Sequence, residues 1–338
     1  MIQERKLIPI LLAVLLFLST GFFPIEASYG ETKSNAAIAG AVSSFLMNTT
    51  SNIGGLQMTG INMIPTGEKI NWLTKHNVEL QSPSNNNPVK VPIVTYHHIV
   101  TNVGLTNNII ITPEKFRSDM EAIKKAGFTT ILFKDLVNYV EGKGQLPQKP
   151  VLITFDDGYY SNYEYAYPIL KELDMKATIS IIGWAVGETK HKVTGREIIP
   201  RFTWEEAKEM IDSGHIDIQN HTYDMHNPRD QYPYRRGVLQ KEEESLEDYI
   251  EAFREDVMEF HHAIEENLGN DVFVFVYPHG EYNDLTEELL VQLGYRVTLT
   301  GEHGVNLITR DKNSLFKLKR INAGYKLPSE ELVRRISR

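Results

Sequence analysis

No cysteine occurs in the 338 residues, which excludes disulfides, thiolate metal sites and cysteine nucleophiles. Positive charge is also scarce: Lys and Arg total 35 against 44 Asp and Glu, a formal net charge of -9. No basic patch is dense enough to neutralise phosphates, so nucleic acid is not an expected partner. No repeat of fixed period runs along the chain, and long apolar runs are missing except at the start. There, Arg5 and Lys6 precede the apolar stretch Leu7 to Leu18, Gly21 and Pro24 break it, and Ile25-Glu26-Ala27 offers a cut next to a small residue. Residues 1–27 therefore read as a secretory signal. The alternative is an uncleaved anchor, because Leu7 to Ile25 approaches the roughly 20 residues that span a bilayer. Either way the bulk of the protein is expected outside the cytoplasm, secreted or tethered, with membrane contact only through that segment.

Residues 28–89 read as a low-complexity linker, since stretches such as Ser82-Pro83-Ser84-Asn85-Asn86-Asn87-Pro88 supply no core. From Val91 strands and helices alternate. Strands are expected over Val91–Tyr96 and near Thr129–Leu132, Val151–Phe155, Ala177–Ile182, Ile216–Gln219, Val272–Val276 and Arg296–Leu299. Thr112-Pro113 opens a helix to about Ala126, with Gly127 as its stop. Capping boxes are expected at Ser161 with Glu164, Thr203 with Glu206 and Asp284 with Glu287. A long charged helix from about Gln240 to Leu268 carries Leu246, Ile250, Phe253, Val257 and Phe260 at helical spacing. Such alternation implies an α/β fold with a parallel sheet or barrel.

Three short clusters follow the strands. Thr154-Phe155-Asp156-Asp157-Gly158 ends the apolar run Val151-Leu152-Ile153. Adjacent carboxylates repel, so a site holding both ionised usually contains a cation. His221-Thr222-Tyr223-Asp224-Met225-His226 follows the strand ending at Gln219. Histidines five apart sit about 140° around a helix and so do not converge there. On a strand they face opposite sides, so only a loop that turns back lets both rings reach one point. One Asp and two His leave coordination positions for water, the pattern of a catalytic metal rather than a structural one. Tyr277-Pro278-His279-Gly280 makes a tight turn that exposes a backbone N–H able to stabilise an oxyanion.

Together these clusters resemble the polysaccharide deacetylases, carbohydrate esterase family 4 or NodB homology domain, over about Val91 to Ala323. The resemblance implies a deformed (β/α) barrel of about seven strands in a catalytic domain over 90–338. It also implies metal-dependent hydrolytic N-deacetylation of N-acetylglucosamine units in an extracellular polysaccharide: a biofilm glucosamine polymer, peptidoglycan or a chitin-type polymer. Carried onto this sequence, Asp157, His221 and His226 would bind a divalent metal and Asp156 would be the general base. Zinc is the first expectation, with cobalt, nickel and iron accepting the same ligands. The N–H of His279 would serve the oxyanion.

Three departures from the common pattern matter. The histidine spacing is one residue longer, Val276 stands where an arginine is usual, and no late leucine-x-histidine motif supplies the acid. Tyr96-His97-His98 instead resembles the circularly permuted branch that deacetylates poly-β-1,6-N-acetylglucosamine of biofilms. This makes His97 the expected acid, with His98 in packing or solvent and His303 in a surface turn. Arg320 is the candidate to orient Asp156, and Trp184 and Tyr277 are candidates to contact sugar. The alternatives are a glycan-binding protein with a degenerate cleft, for which the missing arginine speaks, and another metal-dependent amide hydrolase.

Overall fold

In the computed structural model, residues 87–227 and 235–338 are described, and all of them fall in one compact unit. The expected signal segment, and the expected linker up to residue 86, lie outside the described residues. Ordered structure is present by Val89–Val91, which pairs antiparallel with Asn306–Ile308.

Seven parallel strands close into a barrel: β1 (Ile93–Tyr96), β2 (Pro150–Asp157), β3 (Ala177–Ile181), β4 (Ile216–Asn220), β5 (Val274–Val276), β6 (Val297–His303) and β7 (Leu318–Asn322). Each pairs with its sequence neighbour, and β7 returns to β1 through Ile321 opposite Val94. The helices are α1 (Pro113–Lys125), α2 (Phe133–Val140), α3 (Tyr167–Glu172), α4 (Trp204–Asp212), α5 (Leu246–Leu268), α6 (Asp284–Gln292) and α7 (Ser329–Ile336). All eight residues of β2 and all five of β3 are buried, because a parallel barrel strand is covered on both faces and so needs a continuous apolar run.

The N-terminal end of the barrel is filled by apolar side chains. Phe133, Leu136, Val137 and Val140 of α2 join a cluster with Ile93, Leu152, Val274, Val297 and Leu318, which stand at or near the starts of five strands. That end is therefore packing, which leaves the C-terminal ends to carry chemistry.

Some boundaries differ from the sequence expectation. Thr129–Thr130 pairs only with the start of β2 and hangs outside the ring, and the seventh barrel strand is Leu318–Asn322. Thr112 and the Thr203–Glu206 capping box cap α1 and α4 as expected. Ser161 does not cap. Its hydroxyl pairs with His98 Nδ1 at 2.9 Å and accepts the Ile99 N–H at 3.1 Å, and the chain enters α3 through a π-turn at Asn162–Ala166. In α6 the cap is Asn283 with Thr286. Glu287 is turned into the core, where it accepts the Tyr277 and Thr298 hydroxyls, both at 2.7 Å. The long helix starts at Leu246, capped by Ser245, and buries Ile250, Phe253, Val257 and Phe260.

Candidate active site

The two aspartates stand at the end of β2, beside Ser180 and Ile181 of β3. Successive strand residues face opposite ways. Asp157 breaks that alternation with φ 76°, a left-handed conformation that costs an ordinary residue on the order of 1–2 kcal/mol. Gly158 follows at φ 70°, where a Cβ would meet Ile181 Cγ2 at 2.9 Å. The kink brings both carboxylates to the mouth of the barrel.

His221 follows β4, and its N–H donates to Ile181 O at 3.0 Å. Asn220 Oδ1 accepts the Thr222 N–H at 2.7 Å and Thr222 takes φ 71°, so the chain turns back at once. The turn sets the His221 and His226 rings 4.7 Å apart. His221 Nδ1 donates to Val276 O at 2.7 Å, which fixes the tautomer and leaves Nε2 with a free lone pair. That Nε2 is 3.6 Å from Asp157 Oδ1, and His226 Nε2 is 3.5 Å from the same oxygen. The three donor atoms lie within 4.8 Å of one another, and Asp157 Oδ1 is buried with no hydrogen-bond partner.

This set fits a divalent cation. Burial, then the neighbouring His226, pulls the His221 ring down to about 4, so it stays neutral. Burial also opposes ionisation of Asp157, and positive charge at His226 first, then at His97, His221 and Arg201, brings its carboxyl far below the usual range. A cation bound between the two imidazoles would add to that charge. The orphaned oxygen and the free Nε2 atom then acquire a common partner.

Asp156, 3% exposed, receives Arg320 Nη1 on both oxygens at 2.8 and 2.7 Å. Arg320 projects from β7, where Nε donates to Thr300 O at 2.8 Å and Nη1 also reaches Thr95 Oγ1 at 3.2 Å. Burial alone would raise the Asp156 carboxyl, but Arg320 first, then His97 and His221, outweigh it and hold it low. His97 Nε2 lies 3.6 Å from Asp156 Oδ2. The His98 ring lies 4.8 Å from that of Tyr159, tilted 37° to it, and is kept neutral near pKa 4 by burial and Arg201. His279 takes φ 58°, and its ring stands 4.4 Å from that of His226.

The structure thus gathers His97, Asp156, Asp157, His221, His226, His279 and Arg320 at one barrel mouth. Tyr277 is the correction: it is fully buried and its hydroxyl donates to Glu287, so it does not face sugar. Trp184 is half-buried beside the histidine loop. Its backbone N–H donates to Tyr223 O at 3.0 Å, its ring lies 5.2 Å from His191, and Lys192 Nζ is 5.3 Å from its centroid. His303 is exposed at the end of β6 rather than in a turn. Two neighbours escape the sequence reading. The Tyr159 hydroxyl bonds Asp157, and Arg201 lies 3.9 Å above the Tyr159 ring. Tyr159 is signalled by its place two residues after Asp157; Arg201 has no such cue.

The family profile described as polysaccharide deacetylase matches residues 143–298. A Bacillus subtilis protein, YxkH, whose name groups it with these enzymes, is 31% identical over 234 residues, covering 69% of this chain and 71% of that one. The chain belongs to the polysaccharide deacetylase family. It is a hydrolase of that family, acting on amide bonds of carbohydrate. The poly-β-1,6-N-acetyl-D-glucosamine N-deacetylase of Escherichia coli is 24% identical over 227 residues, 63% of this chain but 34% of that protein, so this chain spans about a third of its relative's length. The solved Streptococcus pyogenes deacetylase PplD, in complex with acetate, superposes with a TM-score of 0.58 at 26% identity, covering 74% of this chain and 99% of that one.

Proposed function

We propose that this deacetylase removes acetyl groups from N-acetylglucosamine units of an extracellular polymer, with a β-1,6-linked glucosamine polymer as the preferred substrate and a bound divalent metal as cofactor. The observation that carries the reading is the orphaned Asp157 Oδ1 facing two imidazole nitrogens, next to a second carboxylate held by its own arginine. The poly-β-1,6-N-acetylglucosamine deacetylases among its relatives, and the Tyr96-His97 order that resembles them, support the substrate. The apolar N-terminal run supports export.

Asp157, His221 and His226 would hold the cation, which when bound lowers the pKa of a water and polarises the acetamide carbonyl. Asp156 takes a proton from the attacking water. Arg320 keeps that carboxylate charged and fixes both of its oxygens, leaving a lone pair of each to accept. His279 takes a left-handed turn, and its backbone N–H would serve the developing oxyanion. His97, with Nε2 3.6 Å from Asp156 Oδ2, gives its proton to the departing amine as the carbon–nitrogen bond breaks. Acetate and a free glucosamine unit result. The arginine missing before Pro278 was what spoke for a degenerate cleft, and Arg320 stands against Asp156 in its place.

The test is acetate release by the full-length protein from three polymers: β-1,6-linked poly-N-acetylglucosamine, chitin oligomers and peptidoglycan. Faster release from the β-1,6 polymer supports the reading. Equal or faster release from either of the others overturns the substrate, and none from any of them overturns the function.

A further inference from the structure

A carboxylate outside the reacting set holds the loop that joins the two histidines. Asp256 stands in the middle of α5, which packs along β4. Its Oδ1 accepts the Tyr223 N–H at 2.8 Å and its Oδ2 accepts the Asp224 N–H at 2.7 Å. Both amides lie between His221 and His226. The next residue on the helix also takes part, since the Val257 carbonyl accepts Asn220 Nδ2 at 3.0 Å, and Asn220 in turn accepts the Thr222 N–H. From the opposite side, the Gly183 and Trp184 amides donate to Thr222 O and Tyr223 O, both at 3.0 Å. The loop is gripped by its N–H groups on one flank and by its carbonyls on the other. The fit is close: a Cβ on Gly183 would come within 2.4 Å of the Tyr223 ring.

Two amides side by side need two acceptor atoms. An asparagine there would offer one oxygen and present its NH2 to the other N–H. The carboxylate is kept at a cost, for burial pushes the Asp256 carboxyl up to about 7 and the nearby Asp224 and Glu259 add to that rise. The same grip answers the geometric problem of the sequence. Five residues separate the histidines, a spacing that converges neither on a helix nor on a strand. It converges here because residues 222–224 are folded back onto α5, with Thr222 left-handed.

We propose that Asp256 is the positioning residue of the metal centre: by binding the Tyr223 and Asp224 amides it sets the distance between His221 Nε2 and His226 Nε2 before any cation arrives. This rests on the reading that Asp157, His221 and His226 hold the cation. Outer groups that orient metal ligands typically change affinity 10–100-fold when removed.

The experiment uses the full-length protein as wild type, Asp256→Asn, Asp256→Glu and His226→Ala. Zn2+ affinity is measured by competition with a chromophoric chelator, and amide exchange at Tyr223 and Asp224 is followed without metal. Asp256→Asn should bind Zn2+ 10–100-fold more weakly and lose protection at those two amides, with turnover recovering toward wild type in excess Zn2+. A merely structural residue would not be rescued by metal. Asp256→Glu keeps both acceptors and should fall between Asp256→Asn and wild type, and it decides the matter if Asp256→Asn does not fold. Zn2+ affinity within twofold of wild type in the folded variants, alongside loss of affinity in His226→Ala, overturns the proposal. Wild-type affinity in His226→Ala overturns the underlying ligand set instead.

Discussion

Replacing Arg320 by Met removes the guanidinium bonded to both oxygens of Asp156, along with its bonds to Thr95 and Thr300. Asp156 is 3% exposed and Arg320 is 8% exposed, so water cannot readily replace the lost donors. Breaking a buried pair by removing one partner costs about 3–5 kcal/mol. At roughly 2–4 °C per kcal/mol for a domain of this size, Tm should fall by about 6–20 °C at pH 8. Protonating Asp156 relieves part of that strain, so its carboxyl must rise from its depressed position once burial is no longer opposed by Arg320. The base is then ionised only at higher pH, and the acid limb of kcat/KM should move to higher pH. Arg320→Lys keeps the charge but loses the fork, and should move the limb less. Acetate release at saturating metal, followed down through the carboxylate range and up to alkaline pH, with thermal melts in parallel, gives both quantities. A melt that falls while the acid limb stays fixed would refute the orienting role and leave Arg320 as packing.

Asp156→Asn keeps shape but cannot accept a proton, so turnover should fall on the order of 10²–10⁴-fold with metal content unchanged; near-normal turnover would remove Asp156 from the mechanism. His97→Ala should cut activity strongly and flatten the alkaline limb of the rate profile, while His303→Ala, at an exposed strand end, should do little; the reverse result would favour the unpermuted order. Asp217 should set a pH dependence of stability. Burial raises its carboxyl to about 7 in the folded protein, against about 3.9 unfolded, so the folded state holds the proton and stability is lost as pH rises from 4 through 7. Asp217→Asn should remove that decline, worth on the order of 1–2 kcal/mol because the group keeps some solvent contact, and urea melts at pH 4.5 and 8 that fall equally in both proteins would sink the assignment.

The two main clusters were legible because each follows a readable strand: the apolar run Val151-Leu152-Ile153 ahead of the aspartates, and Ile216 and Ile218 at alternate positions ahead of His221. The closing strand was not. Leu318-Lys319-Arg320-Ile321 interleaves charge with apolar residues, and its arginine is inside the barrel, where a sequence pattern expects solvent. Tyr277 misled for the opposite reason. An aromatic beside a cleft motif suggests sugar, whereas its hydroxyl is satisfied inside by Glu287, the same residue that drops out of the expected capping box. Ser161 carries a helix-start signature, but the His98 ring and the Ile99 amide claim its hydroxyl. These are tertiary partners on distant segments, which no local spacing reveals.

The most direct test of the account is acetate release from soluble β-1,6-linked N-acetylglucosamine oligomers by full-length protein stripped with a chelator and then reloaded with one equivalent of Zn2+. The account predicts activity abolished by stripping, restored by one equivalent, and not restored in His226→Ala. Undiminished acetate release from the verified metal-free protein would contradict it.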